Sequence, residues 1–272
     1  MVMSSTAWVH FAKRVVRRFV PSPTTAVPAE VPSNEESSGT LDRRDREKIL
    51  QRLLTGRDVR HVFDVGANVG SLTEQYLKSF PNAAIHAFEP NPDLVGRLKT
   101  KFAGDTRVTV IDRVVCDHSG SIPFHINLMD ATSSILPRDQ GRRYFPSEDR
   151  LLRKSELPSV TLDDYCSLNG IDHIDLLKFD IQGGEGAALR GSSRLLEKQA
   201  VDVLYSECYF IPHYQGALLL HELCGALAPH GYTLYDLFLD LHGRNGQLRF
   251  GDALFVSSRF RADVIDRFPD EP

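Results

Sequence analysis

The sequence is short of cysteine, has no long apolar run and carries no excess of positive charge, and each shortfall removes a class of explanation. Its four cysteines, Cys116, Cys166, Cys208 and Cys224, are scattered over 272 residues and none belongs to a Cys-x-x-Cys pair. Neither a zinc knuckle nor a thiol redox motif is therefore encoded. Isolated cysteines in a chain of this length fit a reducing, cytoplasmic setting and a buried apolar role. No stretch of about 18 apolar residues occurs, so no transmembrane helix is expected. Lys and Arg total 32 against 36 Asp and Glu, a formal charge of −4. A nucleic-acid partner is not implied, because phosphate binding leaves a basic footprint. There is no internal repeat.

What positive charge there is gathers at the amino end. Residues 7–20, AWVHFAKRVVRRFV, interleave Lys13, Arg14, Arg17 and Arg18 with Phe11, Val15, Val16 and Phe19. Wound into a helix, they present a basic amphipathic surface suited to peripheral contact with an anionic membrane. The plainer reading is an untethered tail. The charges interrupt the apolar core that a secretory signal needs. Residues 21–40 hold four prolines and almost no large apolar side chains, a linker composition that cannot build a core. The chain thus divides into a tail and linker, 1–40, and a folded domain, 41–272.

Beyond the linker, helix and strand patterns alternate. Helices are expected at 42–55, 71–79 and 92–102, with strands at 61–65, 84–88 and 107–112. Residues 121–127 alternate as a short extra strand, and the polar stretch 130–156 reads as a long loop or lid. A short strand at 159–161 precedes a helix at 162–168, a strand at 174–180 and a helix at 185–197. A strand at 201–206, a helix at 214–228 and strands at 232–238 and 252–257 complete the pattern. This alternation specifies an α/β fold, a doubly wound and mostly parallel sheet with helices on both faces. The last two strands are joined by too short a segment for a crossover helix and should form an antiparallel pair.

The first strand ends in Asp64, and the turn after it is Gly66-Ala67-Asn68-Val69-Gly70. Glycine admits left-handed backbone and close approach of a ligand, and ligands of such sheets sit outside the carboxyl ends of the strands. The second strand ends in Phe88-Glu89-Pro90, where Glu89 can accept hydrogen bonds from both hydroxyls of a ribose. Together these make a nucleoside site. A dinucleotide fingerprint needs Gly-x-Gly-x-x-Gly facing a pyrophosphate. Here the spacing is Gly-x-x-x-Gly beside an acid, which repels pyrophosphate and attracts the ammonium of a methionine moiety. The charge argument favours S-adenosyl-L-methionine over NAD, with an NAD-binding oxidoreductase as the rival. Asp64, Gly66, Ala67, Asn68 and Gly70 are assigned to the methionine end, Glu89 to the ribose, and Asp112 and Arg113 to the neighbourhood of the adenine.

Four ordered segments, FDVGANVG (63–70), AFEPNP (87–92), VTLDDY (160–165) and IDLLKFDIQGGEGAALRGS (174–192), resemble the FkbM family of methyltransferases. The resemblance covers about residues 60–257. It implies a class I methyltransferase, Rossmann-like fold, S-adenosyl-L-methionine as cofactor, and methyl transfer to a hydroxyl of a sugar, a glycan or a small-molecule natural product. One position departs from the family pattern K-x-D-V-E-G-x-E: Gln182 stands where Glu is usual, while Asp180 and Glu185 are kept. That departure supports a second alternative, a non-catalytic binding protein on the same fold.

Methyl transfer to a hydroxyl requires an acceptor oxygen held in line with the donor and a group to receive its proton. Asp180 at the end of its strand, Glu185, Glu207 and His213 are the candidates. Glu185 opens a helix, where its charge also suits the dipole. Tyr209, Phe210 and Tyr214 make either a stacking wall or core, and Asp163 and Asp164 are read as caps of the helix after VTL. No compact ligand motif directs a metal, and no motif specifies the acceptor or an oligomeric state.

Overall fold

The computed structural model describes residues 46–139, 150–243 and 245–267. The basic segment, the linker, the boundary near Leu41 and the middle of the expected 130–156 lid lie outside the described residues. In chain order the elements are α1 (Arg46–Leu54), β1 (His61–Val65), α2 (Ser71–Ser79), β2 (Ala84–Phe88), α3 (Pro92–Lys101), β3 (Val108–Ile111), β4 (Val114–Val115), β5 (Gly120–Asn127), β6 (Leu151–Val160), α4 (Leu162–Asn169), β7 (Ile174–Phe179), α5 (Glu185–Arg190), α6 (Ser193–Glu197), β8 (Val201–Tyr209), α7 (Leu220–Leu227), β9 (Tyr232–His242) and β10 (Leu248–Ser257).

The main sheet has the order β3-β2-β1-β7-β8-β10-β9. Its first five strands are parallel, and β10 runs against both β8 and β9. This is the doubly wound class I methyltransferase arrangement, with the reversed strand near its carboxyl end. The inner strands are apolar on both sides because helices cover both sides. Phe63, Leu177, Phe179 and Leu204 pack on one face with α4, α5 and α7. Val62, Ile85, Leu176, Val203 and Leu254 pack on the other with α1 and α2. Strand order reverses between β1 and β7, so the turns leaving these two strands open a crevice there. Among the described residues no helix is long and apolar enough to cross a membrane.

Every residue of β7 is buried, including a lysine. Lys178 Nζ lies 3.0 Å from Asp64 Oδ1 on β1 and donates to the Gly66 carbonyl oxygen at 2.8 Å. The other oxygen of Asp64 accepts from Thr73 Oγ1 at 2.6 Å. Burial works against the lysine's charge, but Asp64 and Asp180 more than offset it, and its pKa stands above the usual value. The pair locks the turn after β1 to the neighbouring strand.

Three elements differ from expectation. Residues 151–156, read as part of a loop, extend the short strand expected at 159–161 into β6, which pairs antiparallel with β5 and parallel with β4 in a small second sheet. The first six residues of β6 escape full burial, which removes the apolar alternation that would have marked a strand. The helix expected over 185–197 is two helices. Gly191 separates them, and a Cβ there would lie 2.0 Å from the Cys116 carbonyl oxygen. Asp163 caps the second of them by accepting from the backbone N–H of Arg194 at 2.9 Å and of Leu195 at 3.0 Å, whereas Thr161 caps α4 through Asp164 N. The helix expected from 214 begins at Leu220, because Gly216 takes a left-handed φ of 80°.

Replacing Lys178 by Met is expected to leave Asp64 as an uncompensated buried acid and to cost about 3–5 kcal/mol. Urea unfolding checks this, and adding Asp64→Asn to the same chain should recover much of the loss.

Candidate active site

The turn between β1 and α2 is built from left-handed residues: Gly66 at φ 84°, Asn68 at φ 52° and Gly70 at φ 73°. Asn68 tolerates this conformation and accepts from its neighbour, Val69 N, at 2.8 Å. A Cβ on Gly66 would lie 2.0 Å from the Asp180 carbonyl oxygen, and one on Gly70 would meet Phe102 and Leu98 at 2.6 and 2.7 Å. Both glycines are therefore demanded by packing of the protein against itself. Gly66 also borders the crevice, whereas Gly70 faces α3.

The crevice is a cleft of about 630 Å³ between this turn, the end of β2, the β7–α5 turn and the small sheet. Phe88, Val114, Val115, Phe124 and Ile135 give it an apolar wall. Glu89 is buried on its side. One carboxylate oxygen accepts from Asn68 N and the other from Asn91 N, each at 2.8 Å. Burial pushes its pKa up to about 7 against the pull of these two bonds. Asp180 stands on the opposite strand end with its side chain 44% exposed, and its Oδ2 is 3.8 Å from Lys178 Nζ.

Gly66, Asn68, Glu89, Arg113 and Asp180 thus meet at one cleft. The other expected site residues do not line it. Asp64 is wholly buried and its charge is met by Lys178. Ala67 packs its methyl with Leu98 and Phe102. Asp112 points to the surface and pairs with Lys99 at 2.9 Å. Glu185 is buried at the start of α5, where it accepts from Ile181 N at 3.1 Å, and burial first of all lifts its pKa to about 7. Glu207 sits behind Gln182. Burial, with Asp180 and Glu185 adding to it, holds Glu207 well above the usual carboxylate range. His213 is buried with its ring 5.4 Å from that of Tyr209 and 5.7 Å from that of Phe250. Tyr209 and Tyr214 are buried alongside.

Sequence reasoning missed Lys178, Asp130, Ser133 and the contacts of Gln182. A lysine inside the apolar run IDLLKF was a usable signal, since a buried cation needs an acid. Asp130, held by Asn91 Nδ2 at 3.3 Å, and Ser133 line the cleft from the connection after β5, and no local pattern marks them. Among the described residues, metal-ligating atoms converge only at Cys116–Asp117–His118 and at His173–Asp175–Asp202. Neither group lines the cleft. Asp202 already meets Arg57 at 3.1 Å, and Asp175 accepts from the backbone N–H groups of Arg60 and His61.

The sequence matches the family described as "Methyltransferase FkbM domain" over residues 64–234. It is similar to the 2-O-methyltransferase NoeI of Sinorhizobium fredii, 28% identical over 172 residues that cover 61% of this chain and 70% of the relative. It is also similar to the methyltransferase sdnD of Sordaria araneosa, 24% identical over 48% of this chain and 59% of that one. Among solved structures, magnesium protoporphyrin IX methyltransferase from Synechocystis, crystallised with S-adenosylmethionine, aligns with a TM-score of 0.45 at 13% identity, over 78% of this chain and 77% of that one. The matched family segment contains the cleft residues Gly66, Asn68, Glu89, Arg113 and Asp180, and it sets aside the NAD oxidoreductase. The chain belongs to the FkbM family of S-adenosylmethionine-dependent methyltransferases.

Proposed function

We propose that this enzyme is an O-methyltransferase acting on a hydroxyl of a sugar, a glycan or a small-molecule natural product. The observation that carries the reading is Asp180, a half-open carboxylate on the same cleft as the buried Glu89. The name of the relative NoeI, a 2-O-methyltransferase, supports a hydroxyl acceptor.

The cleft fits S-adenosylmethionine in chemistry. Its apolar wall suits a flat base, and Glu89 keeps lone pairs free for two ribose hydroxyls while both its oxygens are anchored by backbone N–H groups. When bound, the cofactor supplies a methyl group on a sulfonium, already activated for displacement. The protein's own work is then orientation and proton removal. Asp180 accepts the proton of the acceptor hydroxyl as the carbon–oxygen bond forms and the sulfur–carbon bond breaks. Asp130 and Ser133, on the side of the cleft next to the small sheet, are placed to hydrogen-bond a polyhydroxylated acceptor.

Calorimetry with S-adenosylhomocysteine should show binding, and labelled donor should deliver methyl groups to a member of a panel of glycans and alcohols. A folded chain with no S-adenosylhomocysteine binding would overturn this reading. Asp180→Asn is expected to lower kcat by about 10²–10⁴-fold with little change in S-adenosylhomocysteine affinity. A second expectation concerns pH. The ribose contact needs an ionised Glu89, whose pKa lies at about 7, so affinity should rise as pH increases from 6 to 8, by about tenfold if only the ionised form binds. In Glu89→Gln the binding should be weak and flat with pH.

A further inference from the structure

Gln182 is one of three non-glycine residues with a positive φ among those described, at 58°. This turn conformation brings its side chain back across the ends of β7 and β8. The amide nitrogen donates to Asp180 Oδ1 and to Glu207 Oε2, both at 2.9 Å. The amide oxygen accepts from the Tyr214 hydroxyl at 2.7 Å. The backbone oxygen accepts from Ser134 Oγ at 2.8 Å. An ionised Asp180 can only accept, which turns the amide nitrogen toward the acids, while the single hydrogen of the Tyr214 hydroxyl is shared between Gln182 Oε1 and the Thr132 carbonyl oxygen at 3.0 Å.

We propose that Gln182 is a positioning residue: its amide spans Asp180 and Glu207, engages Asp180 through Oδ1, and leaves Oδ2 for the acceptor hydroxyl. This rests on the role given to Asp180 above. The two N–H groups supply the positive character that two neighbouring acids would otherwise need from a shared proton or a cation. Positive charge is scarce here. From β7, Lys178 lies 3.8 Å from Asp180 but is tied to Asp64. Glu185 on α5 and Asp252 on β10 add negative charge around Glu207. From β8, the Tyr209 hydroxyl donates to Glu207 Oε2, with the His213 ring packed on Tyr209. The Arg138 guanidinium lies over the Tyr214 ring at 4.3 Å. A glutamate at 182, the residue usual in the family pattern, would put a third carboxyl between the two and remove both donors.

The test compares the wild-type chain with Gln182→Glu and Gln182→Met, the latter keeping length while removing the donors. Thermal unfolding is followed from pH 5 to pH 8, and the Glu207 carboxyl is titrated by carbon-13 NMR. In Gln182→Glu the added carboxyl holds its proton more tightly in the folded chain than in the unfolded one. Its stabilisation is therefore present at low pH and lost as pH rises, and the melting midpoint should fall by about 3–5 °C relative to wild type between pH 5 and 8. In Gln182→Met, Glu207 should titrate at higher pH than in wild type, because a donor to its charged form is gone. Superimposable pH profiles for wild type and Gln182→Glu, or an unchanged Glu207 titration in Gln182→Met, would overturn the proposal. If Gln182→Glu does not fold at any pH, the Gln182→Met titration decides alone. S-adenosylhomocysteine calorimetry on the wild type is run in parallel, so that a failure of the methyltransferase reading shows separately.

Discussion

One buried ion pair underlies the site. Lys178 and Asp64 face each other across β7 and β1, the two strands between which the sheet changes direction. A charge in a strand this apolar is tolerated only with a partner, so the two strands have to meet in the register that pairs Asp64 with Lys178. The same ammonium holds the Gly66 carbonyl and so sets the path of the turn that borders the cleft. A buried pair of this kind is better understood as fixing one arrangement than as adding stability. Here the fixed arrangement is the mouth of the cleft.

From that anchor the chemistry divides between the two sides of the cleft. On the β2 side a single acid, Glu89, is clasped by backbone N–H groups and shut away from water. Its affinity for a proton is therefore balanced near neutrality, and a donor-rich ligand can tip it. On the β7–β8 side three acids, Asp180, Glu185 and Glu207, crowd together, and burial rather than pairing governs two of them. The cleft-facing member, Asp180, is the one kept in contact with solvent, and it shares the Gln182 amide donor with Glu207. Of these three acids, Asp180 alone lines the cleft.

The resemblance to the FkbM family was legible because its motifs lie at strand ends, where local sequence and site coincide. FDVGANVG and AFEPNP each place a turn and an acid at the carboxyl end of a parallel strand, and the cleft forms there. The partners of individual side chains lie outside any local pattern. Asp64 looked like the acid for a cationic ligand, yet its partner lies 114 residues away on β7. Gly70 looked like a ligand-facing glycine, yet it makes room for Leu98 and Phe102. In both cases the local pattern was right about the need, a charge partner or free space, and silent about which atoms meet it. Only the inner end of β6 is legible as a strand, because its outer half is open to solvent, where no burial pattern is written into the residues.

The sequence by itself determined the alternation of strands and helices, the reversed strand at the carboxyl end, the glycine turn beside Glu89, and the family. These follow from short-range periodicity and from residues grouped within a single turn. Only the tertiary structure decided that Asp64 pairs with Lys178 inside the sheet, that Asp112 and His213 stand apart from the cleft, and that Gln182 joins Asp180 to Glu207. The physical reason is that burial and charge compensation are set by contacts between distant strands, and a carboxylate's role depends on which of those contacts reaches it.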